Sequence, residues 1–419
     1  MAEPTTGTWS GEWVAQRLGV EVPADLRGLA GLALRRNPKR AHLIVSPVLG
    51  KHVPVDPRRA RAAATELGER ALAMLDGCEE PVVLGYAETA TGLGHCVADV
   101  LEASYLHSTR RRFAGRESVL GFEEQHSHAT SHALLPDDPG MLDLGGPVVL
   151  VDDELTTGAT VLNTIAALEQ RSSHEQYVVA ALLDLRTADA VAEMERFADD
   201  LGVRIDVVSV GRGEVTLPAD VLARGGALVA GLGEAATGEA AARPAGRVRR
   251  LELTGGEGVR QGGRHGFTPA DALALEARLG PWADQIAAAL EPSGSVHVLG
   301  TEELMYLPLR LAETVAELRG GGVTFSSTTR SPIAAVADAG YAIGSVLRFA
   351  AHDVAVIADG AEPVPRFAYN LGRERFDQIV VVLDADADTA EAHAPGGVVP
   401  ALAAVAGEVL VVVLPREQG

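Results

Sequence analysis

Residues 147–160, PVVLVDDELTTGAT, constrain the fold of this chain more than any other segment. The apolar run 147–151 has the composition of a strand that is buried on both faces. A helix should follow, because Val161, Ile165 and Leu168 are spaced to form one apolar face. Strands of this kind that alternate with helices belong to parallel sheets. The segment therefore predicts an α/β fold in which helices flank a parallel sheet.

The junction between this strand and this helix predicts a site for a ribose 5-phosphate. Free amides and the positive dipole end at a helix N-terminus favour a phosphate, and a glycine lets the backbone approach it. The two acids just upstream would repel a phosphate but can accept hydrogen bonds from a vicinal diol. The alternative is a plain turn in which Asp and Thr act as caps. A Walker loop is excluded because the chain contains no GxxxxGK[ST] pattern.

This segment resembles the phosphoribosyl pyrophosphate (PRPP) loop of type I phosphoribosyltransferases, in which a hydrophobic strand, paired acids and TGxT follow in this order. The resemblance implies catalytic roles for Asp152, Asp153 and Glu154, with Mg²⁺ held at Asp152 and Asp153 through Mg-PRPP. It also implies a PRPP-binding turn, whose members are Thr156, Thr157, Gly158, Ala159 and Thr160.

Two further segments fit the same resemblance. A strand at 81–85 leads into a loop at the place of the family's pyrophosphate loop, with PRPP-binding members Glu88, Thr89, Thr91 and Gly92. The polar stretch after 107 stands at the place of the flexible catalytic loop and contains Arg110, Arg111 and Arg112, of which the first two are predicted to be catalytic. A solvated basic turn is the alternative for each arginine. The histidines of this stretch, His126, His128 and His132, shape the closed loop, contact substrate or bind a metal.

Candidates for the rest of the pocket come from residue choice. The chain has only two lysines, Lys39 and Lys51, against many arginines, so a lysine here can mark a place that requires a compact ammonium group. Lys51 is therefore predicted to be catalytic and His52 to bind the acceptor, with chance and surface solvation as the alternative. Arg212 follows a predicted strand and is a second acceptor-binding candidate, although a surface turn explains it equally well.

The motifs LGKHVP, HSTRR, EEQHSHA and VDDELTTGAT resemble, more specifically, the orotate-related phosphoribosyltransferase of tellurium-resistance-associated biosynthetic clusters. That family carries a C-terminal domain named for a T-R-S-P tetrapeptide, which residues 329–332 spell here. The resemblance and an Ala/Gly-rich stretch predict a transferase domain at 1–222, a linker at 223–250 and a TRSP-type α/β domain at 251–419.

The second domain is predicted to be a degenerate copy of the transferase fold, because three segments recur in the same order. VVLGYAE at 82–88 parallels HVLGTEE at 297–303, and the segments at 105 and 147 parallel those at 325 and 379. Chance likeness between two α/β domains is the alternative. No TGxT follows the last of these strands, so the copy should lack a phosphate cradle. Type I enzymes of the orotate kind pair as dimers, so a homodimer or an internal pseudo-dimer is expected, in which one of four arginines would reach the first site: Arg330, Arg366, Arg373 or Arg375.

Composition restricts the partners. A formal net charge of −21 disfavours nucleic acid and anionic membranes, because both would be repelled. The sequence has no membrane-length apolar run and no signal pattern at its beginning, and its two cysteines do not suggest a disulfide framework. A cytoplasmic enzyme with PRPP and a small-molecule acceptor as partners is expected.

The resemblance implies transfer of the 5-phosphoribosyl group from PRPP to a heterocyclic or related acceptor, with Mg²⁺ as cofactor and pyrophosphate as product, in a specialised pathway. At the position where hypoxanthine-type enzymes hold an Asp, this chain has Thr156, which has no useful basicity. The acceptor should therefore be anionic already, or be activated by Glu154, His52 or Lys51. Two alternatives remain: the reverse cleavage of a riboside, and a regulatory protein that senses PRPP.

Overall fold

The computed structural model describes residues 8–36, 41–75, 77, 80–111, 116, 118–123, 131–143, 145–232, 244–352, 364–372 and 375–417. Their contacts form two compact units. Unit 1 comprises Met1–Pro57, Val215–Gly258 and Arg278–Gly419, and unit 2 comprises Arg58–Glu214 and Val259–Ala277. The predicted division at 222 and 250 stays a prediction about domains. The contacts group the first 57 residues with unit 1.

Strands and helices alternate along most of the described chain. The strands are β1 (Gly31–Leu34), β2 (His42–Val45), β3 (Val82–Gly85), β4 (Ser104–His107), β5 (Leu120–Glu123), β6 (Ser131–Leu134), β7 (Val148–Leu155), β8 (Gln176–Asp184), β9 (Arg204–Arg212), β10 (Arg247–Glu252), β11 (Val296–Gly300), β12 (Val323–Ser327), β13 (Val346–Phe349), β14 (Arg366–Tyr369), β15 (Phe376–Leu383) and β16 (Ala406–Val413). The helices are α1 (Glu12–Leu18), α2 (Pro57–Leu72), α3 (Thr91–Leu101), α4 (Ala159–Glu169), α5 (Ala188–Leu201), α6 (Val221–Gly231), α7 (Pro269–Ala289) and α8 (Tyr306–Arg319), followed by the short helices Ala390–His393 and Val398–Ala403.

Unit 2 is built on a five-stranded parallel sheet in the order β4-β3-β7-β8-β9. Strands β3 and β8 and the first four residues of β7 are fully buried, and in β7 these four residues are apolar on both faces, as the run from Val148 predicts. Helix α4 packs Val161, Ile165 and Leu168 into the core, so the predicted apolar face is confirmed. An antiparallel hairpin, β5 with β6, follows β4.

Strand β7 extends further than its apolar run. It continues through the acid pair to Leu155, because Asp152, Glu154 and Leu155 remain paired with β8. The carboxylates therefore lie near the carboxyl end of a regular strand rather than in the loop after it. Backbone pairing holds their Cα positions firmly.

Unit 1 contains a second five-stranded parallel sheet, in the order β10-β16-β15-β11-β12. An antiparallel hairpin, β13 with β14, follows β12 in the chain. Four neighbouring strands, β12-β11-β15-β16, repeat the order of β4-β3-β7-β8 in unit 2, and each sheet has its hairpin after the corresponding edge strand. This agreement of topology supports the predicted copy. The fifth strands differ, because β9 follows its sheet in the chain whereas β10 precedes it.

The stretch predicted as a linker holds regular structure at both ends. Its beginning lies in α6, where Gly225 packs so closely that an added Cβ would lie 2.4 Å from Ala41 Cβ. Its end forms β10, whose Arg247 and Arg249 bind the carboxylate of Glu408 on β16. The small residues of this stretch allow close helix packing. A flexible linker has a similar Ala/Gly-rich composition, so composition alone does not distinguish the two. In the described part of the chain, no helix is long and apolar enough to cross a membrane.

Candidate active site

The predicted site residues of unit 2 gather at one edge of its sheet. All five strands are parallel, so their carboxyl ends meet at this edge. The residues found there, in the order of the strands, are Arg110 after β4, Glu88 after β3, Asp152 and Asp153 on β7, Asp184 on β8, and Arg212 on β9. The edge therefore combines acidic and basic groups.

The turn after β7 has the geometry of an anion cradle. Gly158 has φ +78°, a left-handed conformation that a side chain disfavours, and a Cβ there would lie 2.9 Å from Met194 Cε. Helix α4 starts at the next residue, so its first amides have no helical carbonyl to bind. Thr157 Oγ1 accepts a hydrogen bond from the amide of Ala159 at 3.3 Å. The turn thus presents donors and a dipole end suited to a phosphate.

The acid pair stands directly before this turn. Asp152 and Asp153 are half-buried, and Asp152 Oδ1 accepts a hydrogen bond from the amide of Asp153 at 2.9 Å. Behind the pair, the Tyr86 hydroxyl bonds Thr164 Oγ1 at 2.9 Å. Burial raises the pKa of Tyr86 well above its usual value, and the negative charge of Asp152 contributes to this rise. Tyr86 therefore stays a neutral hydroxyl beside the carboxylates.

The loop after β3 lies beside the acid pair. The amide of Tyr86 donates to the carbonyl of Val151 at 3.1 Å, which places the start of the loop next to Asp152. The loop ends in α3, whose first residue, Thr91, is buried. Glu88 and Thr89 are half-buried between these ends, and Gly92 is buried in α3. The structure thus brings the predicted pyrophosphate loop and the phosphate turn to neighbouring strands.

A polar relay connects this loop to the hairpin. Ser108 Oγ accepts a hydrogen bond from the amide of Ala87 at 2.9 Å and lies 2.8 Å from His132 Nδ1 on β6. Arg110 Nε donates to His132 Nε2 at 3.2 Å, and the His132 ring stacks on Phe122 with centroids 5.1 Å apart. Arg111 is half-buried in the same segment. Arg112, His126 and His128 lie outside the described residues.

A buried carboxylate on β8 was missed by the sequence reasoning. Asp184 pairs in register with Leu155 of β7, and Arg186 binds both of its oxygens at 2.8 and 2.9 Å. Burial alone would raise the pKa of Asp184, but the hydrogen bonds from Arg186 lower it below its usual value. The signal was present in the sequence, because LLDLR repeats the pattern of a buried strand that ends in an acid.

Arg212 is held more loosely at the same edge. Its side chain is 70% exposed, and its Nε lies 3.7 Å from Asp184 Oδ2. The guanidinium is therefore available to a ligand beside β8, as an acceptor-binding group would be. Its predicted role stays a prediction.

Lys51 and His52 lie in unit 1. Lys51 is 1% exposed, and its ammonium donates to the carbonyl of Glu302 at 2.9 Å. Burial and the nearby charges of Lys51 and Arg35 lower the pKa of His52 to about 3, so its imidazole is neutral at neutral pH. Lys51 is therefore buried and hydrogen-bonded rather than solvated at the surface, and its part in the PRPP site stays a prediction.

The donor set fits magnesium held mainly by a substrate. Among the described residues, no group of three or more His, Cys, Asp or Glu side chains is placed to hold a metal ion. Magnesium is commonly bound through one or two carboxylates together with substrate phosphates. Asp152 and Asp153 stand next to a phosphate turn, so they match this mode of binding, in which carboxylates and substrate phosphates hold the magnesium together.

The family comparison agrees with this geometry. Residues 29–214 match the family model described as phosphoribosyl transferase, and residues 261–402 match the TRSP domain described as C-terminal to that transferase. The chain is a phosphoribosyltransferase with a TRSP domain. No curated protein matches it. The phosphoribosyltransferase match covers the acid pair, both loops and β9, and the TRSP match covers the strands from β11 to β15.

Several solved structures similar to this phosphoribosyltransferase are adenine phosphoribosyltransferases. The protein from Rhodothermus marinus shares 18% identity, with 45% of this chain and 97% of that chain covered and a TM-score of 0.32. The protein from Giardia lamblia, solved with 9-deazaadenine, shares 18% identity, with 46% and 97% covered and a TM-score of 0.33. That from Thermoanaerobacter pseudethanolicus also shares 18%, with 45% and 98% covered and a TM-score of 0.32.

Proposed function

We propose that this phosphoribosyltransferase moves the 5-phosphoribosyl group from PRPP to a heterocyclic or related small-molecule acceptor and releases pyrophosphate. The observation that carries the proposal is the placement of Asp152 and Asp153 near the carboxyl end of the central strand β7, shortly before the left-handed turn at Gly158. A diol-accepting pair and a phosphate cradle on one strand-to-helix junction fit a ribose 5-phosphate.

The chain's own residues bind and orient the donor. The first amides of α4 hold the 5-phosphate, and Asp152 and Asp153 accept hydrogen bonds from the ribose hydroxyls. The loop from Glu88 to Gly92 wraps the pyrophosphate. These contacts fix the anomeric carbon relative to the acceptor, which accounts for a large part of the rate gain in such reactions. Magnesium, when bound through PRPP and the two carboxylates, supplies charge stabilisation for the departing pyrophosphate.

The reaction itself replaces one bond at the anomeric carbon with another. The carbon–oxygen bond to pyrophosphate breaks, positive charge develops on the ribose ring, and the acceptor forms the new bond. The carboxylates of Asp152 and Asp153 stabilise the positive ring, and Arg110 and Arg111 neutralise the leaving pyrophosphate. Because Thr156 cannot act as a base, an anionic acceptor suits the site best, with Arg212 beside β8 as a group to bind it.

The setting is also part of the proposal. We place the enzyme in a specialised biosynthetic pathway of the tellurium-resistance-associated type, on the strength of the TRSP match and the motifs that resemble that family. We place it in the cytoplasm on the sequence patterns described above. We also propose that the enzyme works as a homodimer or as an internal pseudo-dimer.

Calorimetric titration with PRPP and Mg²⁺ tests the assignment of the site. The wild-type chain should bind saturably, and Asp152→Asn/Asp153→Asn should lose binding. The matched control is Asp199→Asn/Asp200→Asn, which removes an adjacent exposed pair from the end of α5 and should bind as the wild type does. Equal binding by all three proteins would refute the assignment.

Product analysis then separates the alternatives. Incubation with PRPP, Mg²⁺ and a panel of anionic and neutral heterocycles should release pyrophosphate with a subset of them. Binding of PRPP without turnover of any acceptor would favour the PRPP-sensing alternative. Release of base from nucleotides or similar ribosides only in the presence of added phosphate or pyrophosphate would favour the reverse reaction.

A further inference from the structure

The ends of β11 and β12 in unit 1 repeat the hydrogen bonds found at the ends of β3 and β4 in unit 2. The amide of Thr328 donates to the carbonyl of Gly300 at 3.0 Å, as that of Ser108 does to Gly85 at 2.9 Å. The amide of Glu302 donates to Thr328 Oγ1 at 2.9 Å, as that of Ala87 does to Ser108 Oγ. Glu302 therefore stands where unit 2 has Ala87, in the pyrophosphate loop.

The same correspondence extends to the hairpins. The amide of Thr329 donates to the carbonyl of Phe367 on β14 at 2.9 Å, and the amide of Thr109 donates to the carbonyl of Ala133 on β6 at the same distance. The residues next to these pairs correspond in turn. They are Arg330 with Arg110, and Arg366 with His132.

The carboxylate of Glu302 places a negative charge between the two arginines of this region. It binds Arg366 Nε at 2.5 Å and Arg330 Nε at 2.7 Å, with one oxygen to each guanidinium. Glu302 is 2% exposed and Arg366 is 1% exposed. Glu302 also has φ +51°, a strained value for a long side chain, which persists only where the surroundings fix it. Two guanidiniums around a buried carboxylate are the donor set that proteins also use for phosphates.

The turn after β15 differs from the turn after β7. Asp384 Oδ1 accepts hydrogen bonds from the amides of Asp386 at 3.1 Å and Ala387 at 2.8 Å. In unit 2, the turn after the corresponding strand β7 leads directly into α4, so the first amides of that helix stand at a helix N-terminus. The chain's own carboxylate takes up the amides of the unit 1 turn.

We infer that unit 1 is a closed copy of the transferase site, in which Glu302 occupies the position where unit 2 would hold the pyrophosphate, and in which Asp384, at the place of the acid pair, binds the amides of the turn that follows it. The ligand class of the Arg330 and Arg366 position is a compact oxyanion, and Glu302 is its built-in occupant. The chain then has one PRPP site, in unit 2. The arginine of the TRSP tetrapeptide serves to hold Glu302.

Replacement of the occupant tests this inference. Glu302→Ala should lower the urea midpoint of unit 1, and millimolar inorganic phosphate should restore most of the loss with a saturable dependence, because phosphate refills the place between the two arginines. Tryptophan fluorescence reports on this unit, because all three tryptophans, Trp9, Trp13 and Trp282, belong to it. Sodium chloride at equal ionic strength should not restore the midpoint.

The matched control is Glu408→Ala. Glu408 is also a buried carboxylate that binds two arginines, but Arg247 and Arg249 have side chains that are 60% and 37% exposed. Its loss should not be reversed by phosphate beyond the effect of chloride. Equal phosphate responses of the two variants, or none in Glu302→Ala, would overturn the inference. If Glu302→Ala does not fold, Glu302→Gly carries the same test, because glycine also empties the place between the two guanidiniums and tolerates φ +51°.

Stoichiometry provides a second test. Titration of the full chain with PRPP and Mg²⁺ should give one equivalent, and Asp152→Asn/Asp153→Asn should give none. An equivalent that survives in this double variant and disappears in Arg330→Gln would show that unit 1 is open. Failure of the wild type to bind would contradict the proposed function, whereas the phosphate experiment would still decide the inference about unit 1.

Discussion

Ser108 Oγ lies 2.8 Å from His132 Nδ1, and this contact connects the proposed catalytic hairpin to the pyrophosphate loop. Because Arg110 donates to the other ring nitrogen of His132, Nδ1 must carry the hydrogen and donate to Ser108. Ser108 in turn accepts from the amide of Ala87. The hairpin and the loop after β3 therefore share one hydroxyl.

Ser108→Ala should raise the KM for PRPP about tenfold. The substitution leaves the buried amide of Ala87 without its acceptor, a loss of about 1–1.5 kcal/mol, which corresponds to about a factor of ten in affinity. Ser108→Thr is the control, because Thr328 makes the same bond at the corresponding place in unit 1. Steady-state kinetics with varied PRPP would measure both. An unchanged KM in Ser108→Ala would show that the hydroxyl does not position the loop.

Gly158→Ala should impair PRPP binding strongly. An alanine at φ +78° costs about 1–2 kcal/mol, and its Cβ would push against Met194, so the phosphate turn must change shape. Gly202→Ala is the control, since Gly202 has φ +69° at the end of α5 and open space around its Cβ position. Both variants should lose stability, but only Gly158→Ala should lose PRPP affinity in calorimetry. Similar affinities would argue against the turn as the cradle.

Asp184→Asn should destabilise unit 2 by about 3–5 kcal/mol, because it leaves the buried guanidinium of Arg186 without its charge partner. Arg212→Gln should change stability by less than about 0.5 kcal/mol, since that side chain is largely exposed. If Arg212 binds the acceptor, its variant should raise the KM for the acceptor and leave that for PRPP unchanged. Urea unfolding followed by circular dichroism, together with kinetics, distinguishes the two residues.

Acid should weaken unit 1 well above the pH at which carboxylates protonate. Burial lowers the pKa of both His52 and His297 to about 3, whereas an unfolded histidine titrates near 6.5. The unfolded state therefore binds protons first as pH falls, and the stability present above about pH 6.5 is lost progressively down to about pH 3. Each histidine contributes a slope of about 1.4 kcal/mol per pH unit in this window.

Urea unfolding followed by tryptophan fluorescence at several pH values between 7 and 5 measures this slope. His297→Gln should make the slope shallower by the contribution of one histidine. A slope that is the same in the variant would mean that His297 titrates normally in the folded chain.

Local patterns in the sequence predicted the elements of the site well, because each depends on neighbouring residues. The strand, acid pair, glycine turn and helix from Val148 to Glu169 are all determined within one short segment. The Ser108–His132 contact and the place of Asp184 beside Leu155 were not predicted, because they depend on which strands become neighbours. The grouping of residues 1–57 with unit 1 was also not predicted, since it rests on contacts such as that of Lys51 with Glu302, which are far apart in the chain.

Unit 1 is assembled from three separate stretches of the chain, and this has a consequence for its synthesis on the ribosome. Unit 2 draws on residues up to 277, so its sheet is complete while the chain is still being made. Unit 1 needs β16, a central strand formed by residues 406–413, before β10 has a neighbour and before the early strands β1 and β2 join a finished body. The segment that holds β1 and β2 therefore has no finished unit to pack against during most of translation. Pulse-labelling of nascent chains should find this segment protease-sensitive until β16 has emerged.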